Sequence, residues 1–280
     1  MVMNIDTCPK ENSWSPFCQS SDTRNRQVNV EKRAWDYYRC DLCGTIKIDE
    51  YINVDDVYEC EKIRKEYQAL PWRVRWVHRL LGHPFKKIFN RLDFMGYRIL
   101  DVGCGNGEKL YDFHLRGAQL VCGVELSQEK INVAEKYMPE GRFFNGLLEH
   151  SPFEKKSFDI VISDNVIEHL SNPDKFVYQM REYVKPGGKI VLMTPNGRSY
   201  SIRNLKEYAL NIWPPFHVNL FTEEYFMYHF PDIQFEFKTR SHFYTLRHSF
   251  KRSGHSTLAA TIKALLLLPF AKEELVVIYS

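Results

Sequence analysis

The sequence predicts an α/β fold: a seven-stranded, mostly parallel sheet flanked by helices, behind a small cysteine-bearing appendage. Three observations point there. From Tyr97 onward, short apolar runs alternate with segments of helical spacing, the pattern of a parallel sheet wrapped by helices. The first apolar run ends in a glycine cluster. Cys8, Cys18, Cys40 and Cys43 all fall within the first 60 residues, in a polar setting.

The elements can be taken in order. Arg98–Val102 reads as the first strand of the sheet and a helix follows through Arg116. Gln119–Val124 is the second strand and ends at Glu125. Ser127 then offers its hydroxyl as an N-cap for a helix through Tyr137. Arg142–Asn145, Phe158–Ser163 and Lys189–Thr194 read as the third, fourth and fifth strands. Pro173–Val184 has helical spacing and stops at Lys185-Pro186-Gly187-Gly188. Ile233–Phe243 and Glu274–Tyr279 read as two closing strands. The four leucines Leu265–Leu268 read as core.

Composition narrows the class of function. A hydrophobic content of 44% with 26% charged residues is ordinary for a globular chain. A net charge of +3 is too small a basic bias for a dedicated nucleic-acid binder, so no nucleic-acid partner is expected. Met1–Glu11 lacks the apolar core of a signal peptide, and Leu258–Ala271 is too short to span a bilayer. A cytoplasmic chain with reduced or metal-bound thiols is the expectation.

The loop Asp101-Val102-Gly103-Cys104-Gly105-Asn106-Gly107 follows a buried strand and precedes a helix, the context in which a glycine pattern predicts a binding site. Its G-x-G-x-G spacing differs from the G-x-G-x-x-G that seats a pyrophosphate on a helix N-terminus, and suits a ligand without phosphates. Glu125, at the end of the second strand, is placed to accept hydrogen bonds from both hydroxyls of a ribose.

With these residues in view, Ile99–Glu108 resembles motif I of the class I S-adenosylmethionine-dependent methyltransferases. Ser157-Phe158-Asp159-Ile160-Val161 followed by Glu168-His169-Leu170, and Val184–Asn196, resemble further segments of the same family in the same order. The resemblance spans roughly residues 96–197. It implies a Rossmann-like domain over 61–280, with a cofactor half at about 96–197 and acceptor-side elements at about 198–260. It also implies contacts to S-adenosylmethionine from Asp101, Gly103, Cys104, Gly105 and Gly107, a ribose partner in Glu125, and adenine packing by Leu126, Leu147 and Leu148. Leu147 stands where the family commonly has an aspartate. Ser163, Asp164 and Asn165 should lie beside the transferable methyl.

A hydroxyl acceptor needs a proton sink, a role suited to histidine. His169 follows Glu168 in the family pattern. His217 lies in Pro215-Phe216-His217-Val218-Asn219-Leu220-Phe221-Thr222, which resembles an acceptor-pocket loop of glycan- and lipid-acting relatives. Quinone-pathway relatives carry a further glutamate where this chain has Asn165, which speaks against a catalytic metal. The expected activity is O-methylation of a sugar, glycan or lipid-linked small molecule. Sugar C-methylation and a non-catalytic binding module are the alternatives.

Cys40-Asp41-Leu42-Cys43-Gly44 has the spacing of one zinc-ribbon knuckle. Cys8, Cys18, Cys40 and Cys43 could together bind one structural zinc over a segment at 1–60, or the segment is a metal-free hairpin. Between Pro71 and Leu92, Trp72, Trp76 and Leu80 share one helical face among six Lys/Arg. A peripheral membrane contact could arise there, although packing on the domain is the expected role.

Overall fold

The computed structural model describes residues 14–20, 34–49 and 94–280. Cys8 and the basic 71–92 segment lie outside them.

The main sheet contains β4 (Arg98–Val102), β5 (Leu120–Glu125), β6 (Arg142–Asn145), β7 (Phe158–Asp164), β8 (Val184–Pro195), β10 (Glu236–Arg240) and β11 (Glu274–Tyr279), in the order β10-β11-β8-β7-β4-β5-β6. β11 runs antiparallel to both its neighbours, and β8-β7-β4-β5-β6 are parallel. This is the Rossmann-like sheet that the alternation predicts. Its central strands are buried on both faces, so they read as continuous apolar runs.

Helices α1 (Glu108–Leu115), α2 (Gln128–Tyr137) and α3 (Pro173–Tyr183) connect the parallel strands. Each start follows from local chemistry. The Ser127 hydroxyl accepts from the Lys130 N–H, and Asn172 caps α3 by accepting from Lys175 N–H at 3.0 Å, with Pro173 at the first helical position. β8 is longer than predicted. The Lys185-Pro186-Gly187-Gly188 run does end the helix, but it continues as an irregular stretch of strand, with a register shift between Phe158 and Ile160 of β7.

Strands β1 (Trp14–Ser20), β2 (Trp35–Cys40) and β3 (Ile46–Ile48) form an antiparallel sheet whose fourth strand is β9 (Asn219–Leu220). The described N-terminal strands are therefore tied by β3 to β9, within the segment between β8 and β10. Cys40 and Cys43 join the main core with Phe221 and Tyr225, and the Thr222 hydroxyl donates to the Cys43 carbonyl.

Of the proposed zinc set, Cys18 stands apart from Cys40 and Cys43, and Cys8 lies outside the described residues. The β1–β2 register puts Cys18 opposite Tyr37, whereas Trp14 stands opposite Cys40, and Cys18 packs in a different apolar cluster. Cys18, Cys40 and Cys43 thus form no metal-capable cluster among the described residues.

The last strands differ most from expectation. β10 ends at Arg240, and residues 243 onward turn into α6 (Phe243–Arg252) and α7 (Thr257–Leu267) before β11 begins. Leu265 and Leu266 are exposed, not core, because α7 packs through Ala260 and Ala264. Two short helices, α4 (Tyr200–Leu205) and α5 (Glu223–His229), flank the segment between β8 and β10.

Candidate active site

The site forms at the carboxyl ends of β4, β5, β7 and β8, where an open α/β sheet binds its ligands. After β4 the chain turns through Gly103, Gly105 and Gly107 at φ 77, 56 and 77°, conformations that favour glycine. A Cβ on Gly103 would stand 2.3 Å from a methyl of Val166, whereas no atom lies within 4 Å of a Cβ on Gly105. The loop is braced on one side and open on the other. Gly103 and Cys104 donate to the Val124 carbonyl at 2.8 and 3.0 Å.

Glu125 braces the loop from the end of β5. One carboxylate oxygen accepts from Gly105 N–H at 3.0 Å and the other from Ser127 N–H at 3.1 Å, with the Lys130 ammonium at 3.6 Å. An ionised carboxylate has about four acceptor positions, so the two backbone bonds leave room for two hydroxyl donors. Asn145 donates to the carbonyls of Glu125 and Leu126 at 3.1 and 2.7 Å, which brings Leu126 beside the Gly146-Leu147 turn. Leu126 and Leu147 are 44% and 46% exposed, two apolar side chains at the end of the sheet.

Three predicted contact residues turn elsewhere. Leu148 is buried in the core, where its carbonyl accepts from the Tyr183 hydroxyl. The Cys104 thiol packs in the second core cluster, and burial pushes its pKa up. The Ser163 hydroxyl is buried and donates to Val102 O at 3.0 Å, lacing β7 to β4. These residues can offer backbone to a ligand but not side chains.

Lys109, on α1, is a site residue that sequence reasoning missed. Its ammonium lies 3.6 Å from Asp101 and 3.2 Å from Asp164, at the ends of β4 and β7. Burial opposes its charge, but the two carboxylates outweigh that and raise its pKa. Asp101 is fully buried with no hydrogen-bond partner on either oxygen, and burial lifts its carboxyl to about 6. The signal that could have found Lys109 is its place on the first turn of the helix after the glycine loop, facing the acid that ends β4. Asn165 follows Asp164 at φ 55°, a strained backbone for a non-glycine residue, and its amide donates to Asp164 at 2.8 Å.

Past the ends of β7 and β8, His169 and His217 meet with ring centroids 5.0 Å apart. His169 Nδ1 bonds Phe216 O at 2.8 Å and His217 Nδ1 bonds Asn211 O at 2.9 Å. A carbonyl can only accept, so Nδ1 carries a proton in each ring, and in the neutral form of either ring Nε2 holds the lone pair. Burial depresses His169 to about 4, so it is neutral. Glu168 is fully buried and raised to about 8 by burial; one oxygen accepts from Thr194 at 3.0 Å and the other has no partner. Glu168, His169 and His217 each present a ligand atom within 4.8 Å of the others.

The His217 loop is held from outside. Tyr37 donates from its hydroxyl to His217 O at 3.4 Å, and Ile48 N–H donates to Val218 O at 3.2 Å. Val218 N–H donates in turn to Glu168 O at 3.0 Å.

Residues 100–192 match the family model described as a methyltransferase domain. A tRNA U34 carboxymethyltransferase of Idiomarina loihiensis is 33% identical over 145 residues, covering 43% of this chain and 45% of its own length. A ubiquinone biosynthesis O-methyltransferase of Cereibacter sphaeroides is 29% identical over 156 residues, covering 54% of this chain and 60% of its own. The chain thus spans only about half the length of the curated relatives it matches. Among solved structures, an S-adenosylmethionine-dependent methyltransferase from Mesorhizobium loti is similar at TM-score 0.51 and 17% identity, covering 70% of this chain and 95% of that one. Geranyl diphosphate C-methyltransferase from Streptomyces coelicolor is similar at TM-score 0.52 and 15% identity, covering 72% and 81%. These two likenesses are of fold.

Proposed function

We propose that this chain, whose residues 100–192 match a methyltransferase domain, is a class I S-adenosylmethionine-dependent methyltransferase that methylates a hydroxyl oxygen of a small-molecule acceptor. A sugar, glycan or lipid-linked intermediate is the acceptor class we favour. The residues suit the cofactor: open space over Gly105, a buried Asp101 carboxylate without hydrogen-bond partners, and unused acceptor positions on Glu125. Glu125 would hold the ribose, Leu126 and Leu147 would pack on adenine, and the glycine loop with Asp101 would face the methionine end. When bound, the cofactor supplies a methyl group already activated on a sulfonium. The protein's own task is then to align the acceptor, exclude water and take a proton.

The observation that carries the reading is the histidine pair with both Nδ1 atoms tied to carbonyls. Each ring is thereby fixed with Nε2 as the base. His169 is too weak a base near neutral pH, so His217 takes the hydroxyl proton. His169, bonded to Phe216 O, positions the loop that carries it. Replacing His217 with Asn should lower turnover of hydroxyl acceptors by about 10²-fold while leaving S-adenosylhomocysteine affinity unchanged. Full turnover in that variant would remove His217 from the chemistry. Failure of folded wild type to bind S-adenosylhomocysteine would favour a non-catalytic module instead.

A second reading has the Glu168–His169–His217 cluster hold a divalent cation beside the acceptor. Assays with chelated and metal-supplemented protein separate the two. The acceptor screen should include tRNA, since one relative is named for it and a small net charge is a thin ground for excluding nucleic acid.

A further inference from the structure

β10 and β11 are antiparallel neighbours, with Arg240 opposite Glu274, so a hairpin turn of about two to five residues would suffice to join them. The chain instead inserts residues 241–273, which form α6 and α7. α7 is inside out. It buries its alanines, Ala260 and Ala264, against Leu246 and Phe250 of α6. Its large side chains face away: Leu258, Leu265 and Leu266 are 70%, 59% and 70% exposed, with Ile262 and Phe270 also exposed. Positions 258, 262, 265 and 266 fall within one arc of about 100° on a helix of 3.6 residues per turn. Isolated exposed leucines are ordinary; a continuous stripe of them is not.

Charge accompanies the stripe. Between Ser241 and Lys272 there are five Lys/Arg and no Asp or Glu, so this insertion alone carries more positive charge than the net +3 of the whole chain. Lys251, Lys263 and Lys272 are exposed. No described helix is long and apolar enough to cross a membrane. An apolar helical face on an insertion of net positive charge matches the boundary between acyl chains and anionic headgroups.

We propose that the α6–α7 insertion docks this protein on the surface of an anionic lipid bilayer, with Leu258, Ile262, Leu265, Leu266 and Phe270 entering the acyl boundary. The insertion packs on the segment leading to the His217 loop: Leu210 N–H donates to the Ser249 hydroxyl at 2.8 Å, and Arg252 donates to Glu207 O at 3.1 Å. Docking would therefore set the acceptor side close to the membrane. The proposal does not depend on the acceptor's identity.

The test is flotation of the full chain with vesicles of phosphatidylcholine alone or mixed with phosphatidylglycerol. Wild type should float with the anionic vesicles, less so as salt rises. Leu265→Ser with Leu266→Ser should lower partitioning by about tenfold or more, given the transfer free energy of buried leucine side chains. Lys251→Glu with Lys263→Glu should abolish the preference for anionic over neutral vesicles. Unchanged S-adenosylhomocysteine binding would show that both variants are folded. Wild type that stays in the soluble fraction overturns the proposal, as does a leucine variant that floats like wild type. Light scattering that finds a wild-type dimer broken by the leucine substitutions, without vesicle binding, would assign the stripe to a second copy.

Discussion

Removal of the Glu125 carboxylate should separate loop bracing from cofactor recognition. In Glu125→Ala the Gly105 and Ser127 N–H groups lose their acceptor, at 3.0 and 3.1 Å, and a bound ribose would lose two charge-assisted hydrogen bonds. Each such bond contributes about 1.5–3 kcal/mol. The two orphaned N–H groups gain partial solvation, since the side chain is only 11% exposed but its space opens to water on truncation. The net loss on cofactor binding should be about 3–4 kcal/mol, a weakening of about 10²–10³-fold. Glu125→Gln keeps one acceptor oxygen and should weaken binding by about tenfold. Calorimetric titration with S-adenosylhomocysteine measures both. A Kd for Glu125→Ala within about threefold of wild type, with a lowered melting temperature, would refute the ribose role and leave Glu125 as a brace of the loop.

Other consequences can be measured on the same protein. Gly103→Ala should lower the melting temperature more than Gly105→Ala, because both are strained by positive φ but only the first drives a Cβ into Val166; equal shifts would contradict the packing described. Lys109→Met should cost about 3–5 kcal/mol in urea unfolding by leaving Asp101 and Asp164 without a counter-charge. Asp101 titrates above its ordinary range in the fold, so its stabilising protonation is lost as pH rises through about 6; the Lys109→Met defect should be larger at pH about 8 than about 5. Glu168, with a folded pKa near 8, contributes stability that is complete below its ordinary pKa and disappears as pH rises through about 8. Glu168→Gln should flatten the alkaline limb of a stability–pH curve, and an unchanged limb would place the titration elsewhere. His169 has the opposite sign: its stability is present above pH about 6.5 and lost as pH falls through about 4, so His169→Asn should flatten the acid limb.

The parts legible in sequence are those encoded locally. The glycine loop, Glu125 and the Ser127 cap sit within 27 residues of chain, from Asp101 to Ser127, and each announces itself by residue type and spacing. The strands from β4 to β8 follow from their apolar runs. What could not be read depends on partners far away in the chain. The pairing of β3 with β9 joins Lys47 to Asn219, and no local pattern records it. Ser163 looks like a site residue until its hydroxyl is seen turned to Val102, because side-chain direction at a strand end is decided by the neighbouring strand. The Leu265–Leu268 run misled for the same reason. Hydrophobicity predicts burial only when something lies over the helix, and α7 rests on its alanines.

The seam between β3 and β9 ties two functions to one fate. The loop bearing His217 is the outer edge of one sheet and, in the function we propose, would also face the acceptor; it is gripped by Tyr37 and Ile48 from the N-terminal hairpin. If His217 does face the acceptor, admitting a larger one would require unzipping that edge, and the hairpin would then act as a tension element on substrate size. A fragment beginning at the glycine-loop domain should still hold cofactor, yet its acceptor loop would be slack. Loosening β3 is accordingly the place to begin if the range of acceptors is to be widened by engineering.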